Sequence, residues 1–115
     1  VLSSCKATVE PDHAAAIAGT YKMSSYTTSY DRNIYSYSTI SLTRKSNSKV
    51  DVSIYRWSGD GYEYYYDVTV GKSGSNYTLT SKSNSGDSFT GSIVGNAIEL
   101  GYNESGTIYN VKGSK

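Results

Sequence analysis

Histidine and cysteine, the residues most often used for acid-base and nucleophilic chemistry, each occur once in this sequence of 115 residues. His13 and Cys5 both lie near the start of the chain, where no strand periodicity is present. A Ser-His-Asp triad or a Cys-His pair would have to be built from that segment, and zinc would lack ligands. The sequence therefore predicts no nucleophilic catalysis and no metal site, with His13 exposed to solvent.

Carboxylates are the other side chains that could do chemistry, as the catalytic pair of a glycosidase. Asp51, Asp67 and Glu99 alternate with apolar neighbours, so they are expected to face solvent. Asp60 and Asp87 lie among glycine and serine residues, where aspartate is favoured because it makes local turn bonds. No catalytic pair is apparent, and we predict a protein that is not an enzyme and needs no cofactor.

Tyrosine is the residue type best suited to a binding site, because the chain contains 13 of them. One group clusters with the single tryptophan around residues 59–61, and another flanks residues 27–36. Such rings can stack on sugars, apolar ligands or protein partners. The equally weighted alternative is that tyrosine simply suits the strands of a Ser/Thr-rich sheet. The candidate ligand or partner contacts are Trp57, Tyr62, Tyr64, Tyr35 and Tyr37.

Composition limits both the partners and the fold. The net charge is +1 and no basic stripe is present, so nucleic-acid binding through phosphate contacts is not expected. No apolar run approaches the roughly 18 residues needed to cross a bilayer. The abundance of Tyr, Ser, Thr and Gly, with a single proline, favours strands joined by tight turns.

Alternation of apolar and polar residues begins at Ile17 and predicts eight β-strands. The predicted strands are Ala18–Tyr26, Tyr37–Arg44, Val50–Trp57, Tyr62–Val70, Asn76–Ser81, Ser88–Val94, Ala97–Tyr102 and Thr107–Val111. In the fourth strand, one face is expected to carry Tyr64, Tyr66, Val68 and Val70.

The connections between these strands predict their arrangement. Most are short and rich in turn residues, and Gly95-Asn96 fits a two-residue hairpin loop. Short links require antiparallel neighbours, and closing the sheet removes its two unpaired edges. We therefore predict an all-β domain at residues 17–115, an eight-stranded antiparallel up-and-down barrel, with a flat sandwich as the rival. Residues 1–16 are predicted to be a tail, with one helical turn at Ala14–Ala16.

The tail contains a short motif with a recognisable resemblance. Leu2-Ser3-Ser4-Cys5 resembles the lipobox of bacterial lipoproteins, in which the cysteine becomes the lipidated first residue. The resemblance implies that Cys5 carries a lipid, that the following segment is a flexible tether, and that the protein is anchored in the bacterial cell envelope. Contact with the membrane is then expected only through this anchor. The alternative is an ordinary free cysteine in a loose terminus.

The first predicted strand carries a second resemblance. Ile17-Ala18-Gly19-Thr20-Tyr21 resembles the G-x-W start of lipocalin and calycin-like barrels, with Tyr21 in place of tryptophan. The segments 91–100 and 106–115 resemble the late hairpin and the ending of small bacterial lipocalin-like lipoprotein domains. In lipocalins a basic residue near the last strand covers the tryptophan. The resemblance implies that Lys112 or Lys115 covers Tyr21 through a cation–π contact.

Two functions remain open on these grounds. The leading interpretation is a non-enzymatic binding domain of a bacterial envelope lipoprotein, holding a small apolar or sugar-like ligand. The alternative is a protein-interaction module, such as a hydrolase inhibitor or a component of an envelope complex, with a solid barrel core. The interior of the barrel distinguishes the two functions, because a ligand site needs a cavity of roughly a few hundred Å³.

Overall fold

The computed structural model describes residues 11–28, 38–55, 62–82, 88–104 and 106–115. All eight predicted strands are present, most of them longer than expected. Tyr37 and Trp57, at the ends of two predicted strands, lie outside the described residues. The elements are α1 (His13–Ile17), β1 (Gly19–Thr28), β2 (Thr39–Ser46), β3 (Lys49–Tyr55), β4 (Tyr62–Ser73), β5 (Asn76–Lys82), β6 (Ser88–Val94), β7 (Ala97–Glu104) and β8 (Thr107–Ser114).

The strands form a closed antiparallel barrel in which each strand pairs with its neighbours in sequence. The seam that closes it joins β1 to β8, from Lys22 opposite Ser114 to Thr28 opposite Tyr109. This pairing satisfies backbone groups that an open sheet would leave on its two outermost strands. The predicted up-and-down barrel is confirmed, and the flat sandwich is excluded.

The two ends of the barrel differ. At one end, which we call the helix end, two-residue turns join β2 to β3, β4 to β5 and β6 to β7. Gly74 and Gly95 have φ of 64° and 61° in two of these turns, a region that glycine enters without steric strain. At the other end, the loop end, the connections span residues 29–38, 56–61, 83–87 and 105–106.

The short helix α1 packs against the barrel at the helix end. Its N-cap residue Asp12 accepts a hydrogen bond from a backbone N–H of the first turn and pairs with Arg44 at 2.9 Å. The N–H of Ala14 donates to the carbonyl of Asn47, between β2 and β3, at 3.0 Å. The helical turn expected at Ala14–Ala16 is therefore present, and the buried Ala14 contributes to the core.

The core fills the barrel as one continuous cluster of buried apolar side chains. Between the two ends it is aliphatic, and full burial of each such side chain contributes about 1.5–3 kcal/mol. The buried aliphatic residues are Ile17, Ile40, Leu42, Val50, Val52, Ile54, Val68, Val70, Leu79, Ile93, Ile98, Leu100 and Val111.

A β-bulge in β4 changes which residues face the core. Val52 lies opposite Tyr65 and Val50 lies opposite Val68, so two residues of β4 face the single Asp51. Asp67 within the bulge has φ of 56°, in the left-handed region that aspartate tolerates better than most residues.

The bulge corrects the predicted face of the fourth strand. Val68 and Val70 are buried, as expected, but Tyr64 and Tyr66 are 53% and 63% exposed on the outer wall. The prediction that these four residues share a face is wrong, because one extra residue shifts the period of two midway along the strand.

The contact expected between the first strand and a C-terminal lysine is present. The buried Tyr21 donates its hydroxyl to the carbonyl of Ile17 at 2.8 Å, and burial raises the pKa of this phenol. Lys115 places its Nζ 5.0 Å from the centre of the Tyr21 ring and donates to the carbonyl of Ala18 at 2.9 Å. Lys115 therefore links the end of the chain to the start of β1.

Replacing Lys115 with methionine is expected to lower the free energy of unfolding by about 1 kcal/mol, because the cation–π contact and one hydrogen bond are lost. Urea unfolding measures the change. Lys112→Met is the control, since Lys112 lies on the outer wall, 4.0 Å from Glu99. Equal losses in the two variants would show that Lys115 has no special role.

Candidate functional site

The interior at the loop end is lined by aromatic side chains from five strands. We call this group the aromatic layer, and its members are Tyr26, Tyr65, Phe89, Tyr102 and Tyr109. Neighbouring ring centres lie between 4.5 and 6.0 Å apart, from Tyr65–Phe89 to Tyr26–Tyr109. These contacts fall in the range in which aromatic pairs attract one another. The layer therefore forms a connected apolar floor across the barrel.

A carboxylate lies within this apolar environment. Glu63, half-buried near the start of β4, accepts a hydrogen bond from the hydroxyl of Tyr102 on β7 at 2.6 Å. Because β4 and β7 are three strands apart around the wall, this bond crosses the lumen. Burial, and next the negative charge of Glu63, hold the pKa of Tyr102 well above its usual value. Tyr102 therefore stays protonated and remains a donor.

One further polar group lies at this end of the interior. Ser38, directly before β2, is buried, and its hydroxyl has no hydrogen-bond partner among the described residues. Its carbonyl accepts the N–H of Met23 from β1 at 3.0 Å. Burying a hydroxyl without a hydrogen-bond partner costs about 1–3 kcal/mol. Ser38 is therefore an unfavourable polar group within the largely apolar lining of the loop end.

Side chains occupy the described part of the lumen between α1 and the aromatic layer. Three grooves of 360, 340 and 470 Å³ all lie on the outer wall. The members of the loop-end interior that keep partial solvent exposure are Glu63, Tyr65 and Tyr109. Any small molecule held by these residues would therefore bind at the mouth of the barrel rather than deep within it.

Among the predicted ligand or partner contacts, the side chain that the structure describes is that of Tyr64. Tyr64 lies on the outer wall and stacks on Tyr66 with ring centres 6.1 Å apart. Tyr62 begins β4, and its side chain lies outside the description. The other predicted contacts, and the lipidation candidate, lie outside the described residues; they are Trp57, Tyr35, Tyr37 and Cys5.

Reasoning from the sequence missed the inward-facing residues of β4, Glu63 and Tyr65. The alternation in the first half of β4, considered apart from Val68 and Val70, is the signal that could have identified them. Placing the buried Val68 and Val70 on the same face as Tyr64 put Glu63 and Tyr65 outside. The bulge between the two halves reverses that assignment.

Other candidate chemistry is limited within the described ranges. His13 is half-buried and makes an edge contact with the Tyr77 ring at 5.8 Å, although it was expected in solvent. No group of three His, Cys, Asp or Glu side chains that could hold a metal occurs among these residues. Nor does that part of the chain contain a helix with the length and apolar character needed to span a bilayer.

Comparison with known proteins gives structural neighbours only. No protein-family model matches the chain, and no curated protein matches its sequence. A crystal structure of a Bacteroides fragilis protein, provisionally named an outer membrane protein, superposes on 90% of this chain with a TM-score of 0.69 and 14% identity. A de novo designed fluorescence-activating β-barrel superposes on 90% of this chain and 97% of its own, with a TM-score of 0.53 and 16% identity.

These similarities establish the fold alone. The chain spans about half of the Bacteroides fragilis protein, 53% of its length. Both neighbours agree with a β-barrel, in keeping with the strand order found here.

The protonated state of Tyr102 predicts a loss of stability at alkaline pH. The pKa of Tyr102 is raised in the folded protein above the ordinary 10.0. The stability that comes from its protonated hydroxyl is therefore fully present below about pH 10. It is lost at higher pH, because the same tyrosine ionises more readily in the unfolded chain. The free energy of unfolding should fall by up to about 1.4 kcal/mol for each pH unit above 10 from this group. Urea unfolding between about pH 9 and 11.5 should show a shallower slope for Tyr102→Phe. Equal slopes would contradict the assigned ionisation.

Proposed function

We propose that the protein is a non-enzymatic binding domain of the bacterial cell envelope that takes a small molecule at the loop end of the barrel. The ligand lies against the aromatic layer at the mouth. The observation that carries the proposal is the Glu63 carboxylate, held 2.6 Å from the Tyr102 hydroxyl among aromatic rings.

The chemistry of these residues indicates the kind of ligand. The half-buried rings of Tyr65 and Tyr109 offer apolar surface for a flat group. Glu63 offers carboxylate oxygens, which accept hydrogen bonds and attract positive charge. A small apolar molecule with a flat ring and a cationic or hydrogen-bond-donating group, or a sugar ring with its hydroxyls, meets both requirements.

The form of the barrel supports the same use. The helix end has two-residue turns and the packed helix α1, whereas three of the four connections at the loop end are longer in sequence. Binding residues are commonly placed on loops at one end of a rigid scaffold. The designed neighbour is named as a fluorescence-activating β-barrel.

The second candidate is a protein-interaction module with a solid core. The observation in its favour is the filled lumen, because side chains occupy the described interior below the aromatic layer. In this case the exposed pair Tyr64 and Tyr66 on the outer wall would contact the partner. Tyrosine is enriched at the centres of protein interfaces.

A planar cationic dye, thioflavin T, distinguishes the two candidates. We expect saturable dye fluorescence with the intact domain, weakened at least about tenfold by Tyr65→Ala and by Glu63→Gln. Tyr64→Ala is the matched control, because Tyr64 is the adjacent residue on the outer wall and should leave dye affinity unchanged.

Native mass spectrometry of protein purified from its own host gives the second measurement. A co-purified small molecule that is lost in Tyr65→Ala supports binding at the mouth. Protein without any bound molecule, together with dye binding that depends on Tyr64 rather than Tyr65, would favour the protein-interaction candidate.

The envelope location is proposed to depend on lipidation of Cys5. We expect the full natural gene product, produced in a bacterial host, to incorporate radiolabelled palmitate and to partition into detergent. Cys5→Ser should abolish both, and Ser4→Ala, next to it in the motif, should preserve both. Labelling that persists in Cys5→Ser would refute the anchor and leave the binding site unaffected.

A further inference from the structure

A groove on the outer wall has features of a second binding site. Its volume is about 470 Å³, within the range of roughly 300–1,000 Å³ typical of small-ligand sites. It is lined by Lys49, Tyr66, Asp67, Thr69, Thr80 and Ser81. None of these residues belongs to the aromatic layer at the loop end.

The groove lies beside the end of the described ladder between β4 and β5. Among the described residues, the ladder between β4 and β5 runs only from Ser73–Asn76 to Thr69–Thr80. Beyond that point β5 continues along β6 to Lys82, and β4 continues along β3 towards its start. The groove-lining residues Thr69 and Thr80 form the last described pair of this ladder.

The bulge in β4 fixes the groove's two most distinctive side chains. Asp51 accepts the N–H of Asp67 at 3.1 Å, and Lys45 holds the Asp67 carboxylate at 3.1 Å. Lys45 also lies 6.0 Å from the centre of the Tyr66 ring. Asp67 nevertheless remains 64% exposed, so its carboxylate can reach a ligand. The extra residue of the bulge thus presents a ring and a carboxylate side by side.

The remaining lining adds hydrogen-bonding groups of both kinds. Thr69, Thr80 and Ser81 contribute hydroxyls, which donate and accept. The ammonium of Lys49 lies 3.4 Å from the Thr69 hydroxyl and donates only. One carboxylate, one ammonium, three hydroxyls and one exposed tyrosine ring therefore surround the groove. The two formal charges on its lining balance.

We propose that this groove binds a neutral saccharide. A sugar ring presents C–H groups that pack on the Tyr66 ring, and neighbouring hydroxyls that bridge the Asp67 carboxylate and the Lys49 ammonium. The balanced charge opposes binding of an anion such as phosphate, because the exposed carboxylate would repel it. The other lining side chains are polar or charged, which differs from the apolar centre of a protein interface.

Backbone amide chemical shifts test the proposal directly. The intact domain is titrated separately with maltotriose, cellotriose and N,N′,N″-triacetylchitotriose, three neutral trisaccharides that differ in linkage or ring substituent. At least one of them should shift the amides of Tyr66, Asp67, Thr69 and Thr80. Tyr66→Ala and Asp67→Asn should each weaken that binding about tenfold or more.

The control and the overturning results are specific to this groove. Asparagine tolerates the left-handed backbone of Asp67, so Asp67→Asn keeps the bulge, and Glu99→Gln makes the same chemical change elsewhere on the outer wall. The proposal fails if no trisaccharide shifts these amides, if Asp67→Asn binds like Glu99→Gln, or if the shifts occur at Tyr65 and Tyr109. Thioflavin T binding should be unchanged by Asp67→Asn, so this outcome is separate from that of the mouth site.

Discussion

Pairing between β1 and β8 is the constraint on which the rest of this structure depends. The last strand must return to the first for the inner faces of eight short strands to enclose a common core. A domain of 115 residues has little stability to spare, and an open sheet would expose both apolar surface and unpaired backbone. The contact of Lys115 with the start of β1 reinforces the same seam. Closure of the sheet therefore creates the barrel interior in which the aromatic layer and Glu63 lie.

The two candidate sites arise from departures from regular sheet geometry rather than from the sheet itself. The bulge in β4 turns Tyr65 and Glu63 inward while Tyr66 remains outside. The groove lies beside Asp67, next to Thr69 and Thr80, the last described pair between β4 and β5. Bulges are common near functional sites, where they redirect side chains. A single inserted residue therefore contributes to both the interior and the outer-wall surface.

The sequence was sufficient for the strands, their order and the closure, because alternation and short turns are local signals. Val50, Val52 and Ile54 show the period of two without interruption, and all three are buried. Tyr21 and its lysine were identified through a resemblance to lipocalins, which periodicity alone would not have provided. The site was not predictable in the same way. Whether Tyr64 or Tyr65 faces inward depends on the bulge at Asp67. The bulge sets the register between β3 and β4, which depends on packing between strands and not on local sequence alone.

The position of α1 has a consequence for how the barrel would be held at a bilayer. The chain enters the fold at the helix end, through Asp12 and the helix that follows it. Only seven residue steps separate Asp12 from Cys5, a span of at most about 25 Å. A lipid on Cys5 would keep the helix end near the lipid headgroups and point the mouth with Tyr65 and Glu63 outward. A ligand for Tyr65 and Glu63 would then bind at the end of the barrel opposite the tether.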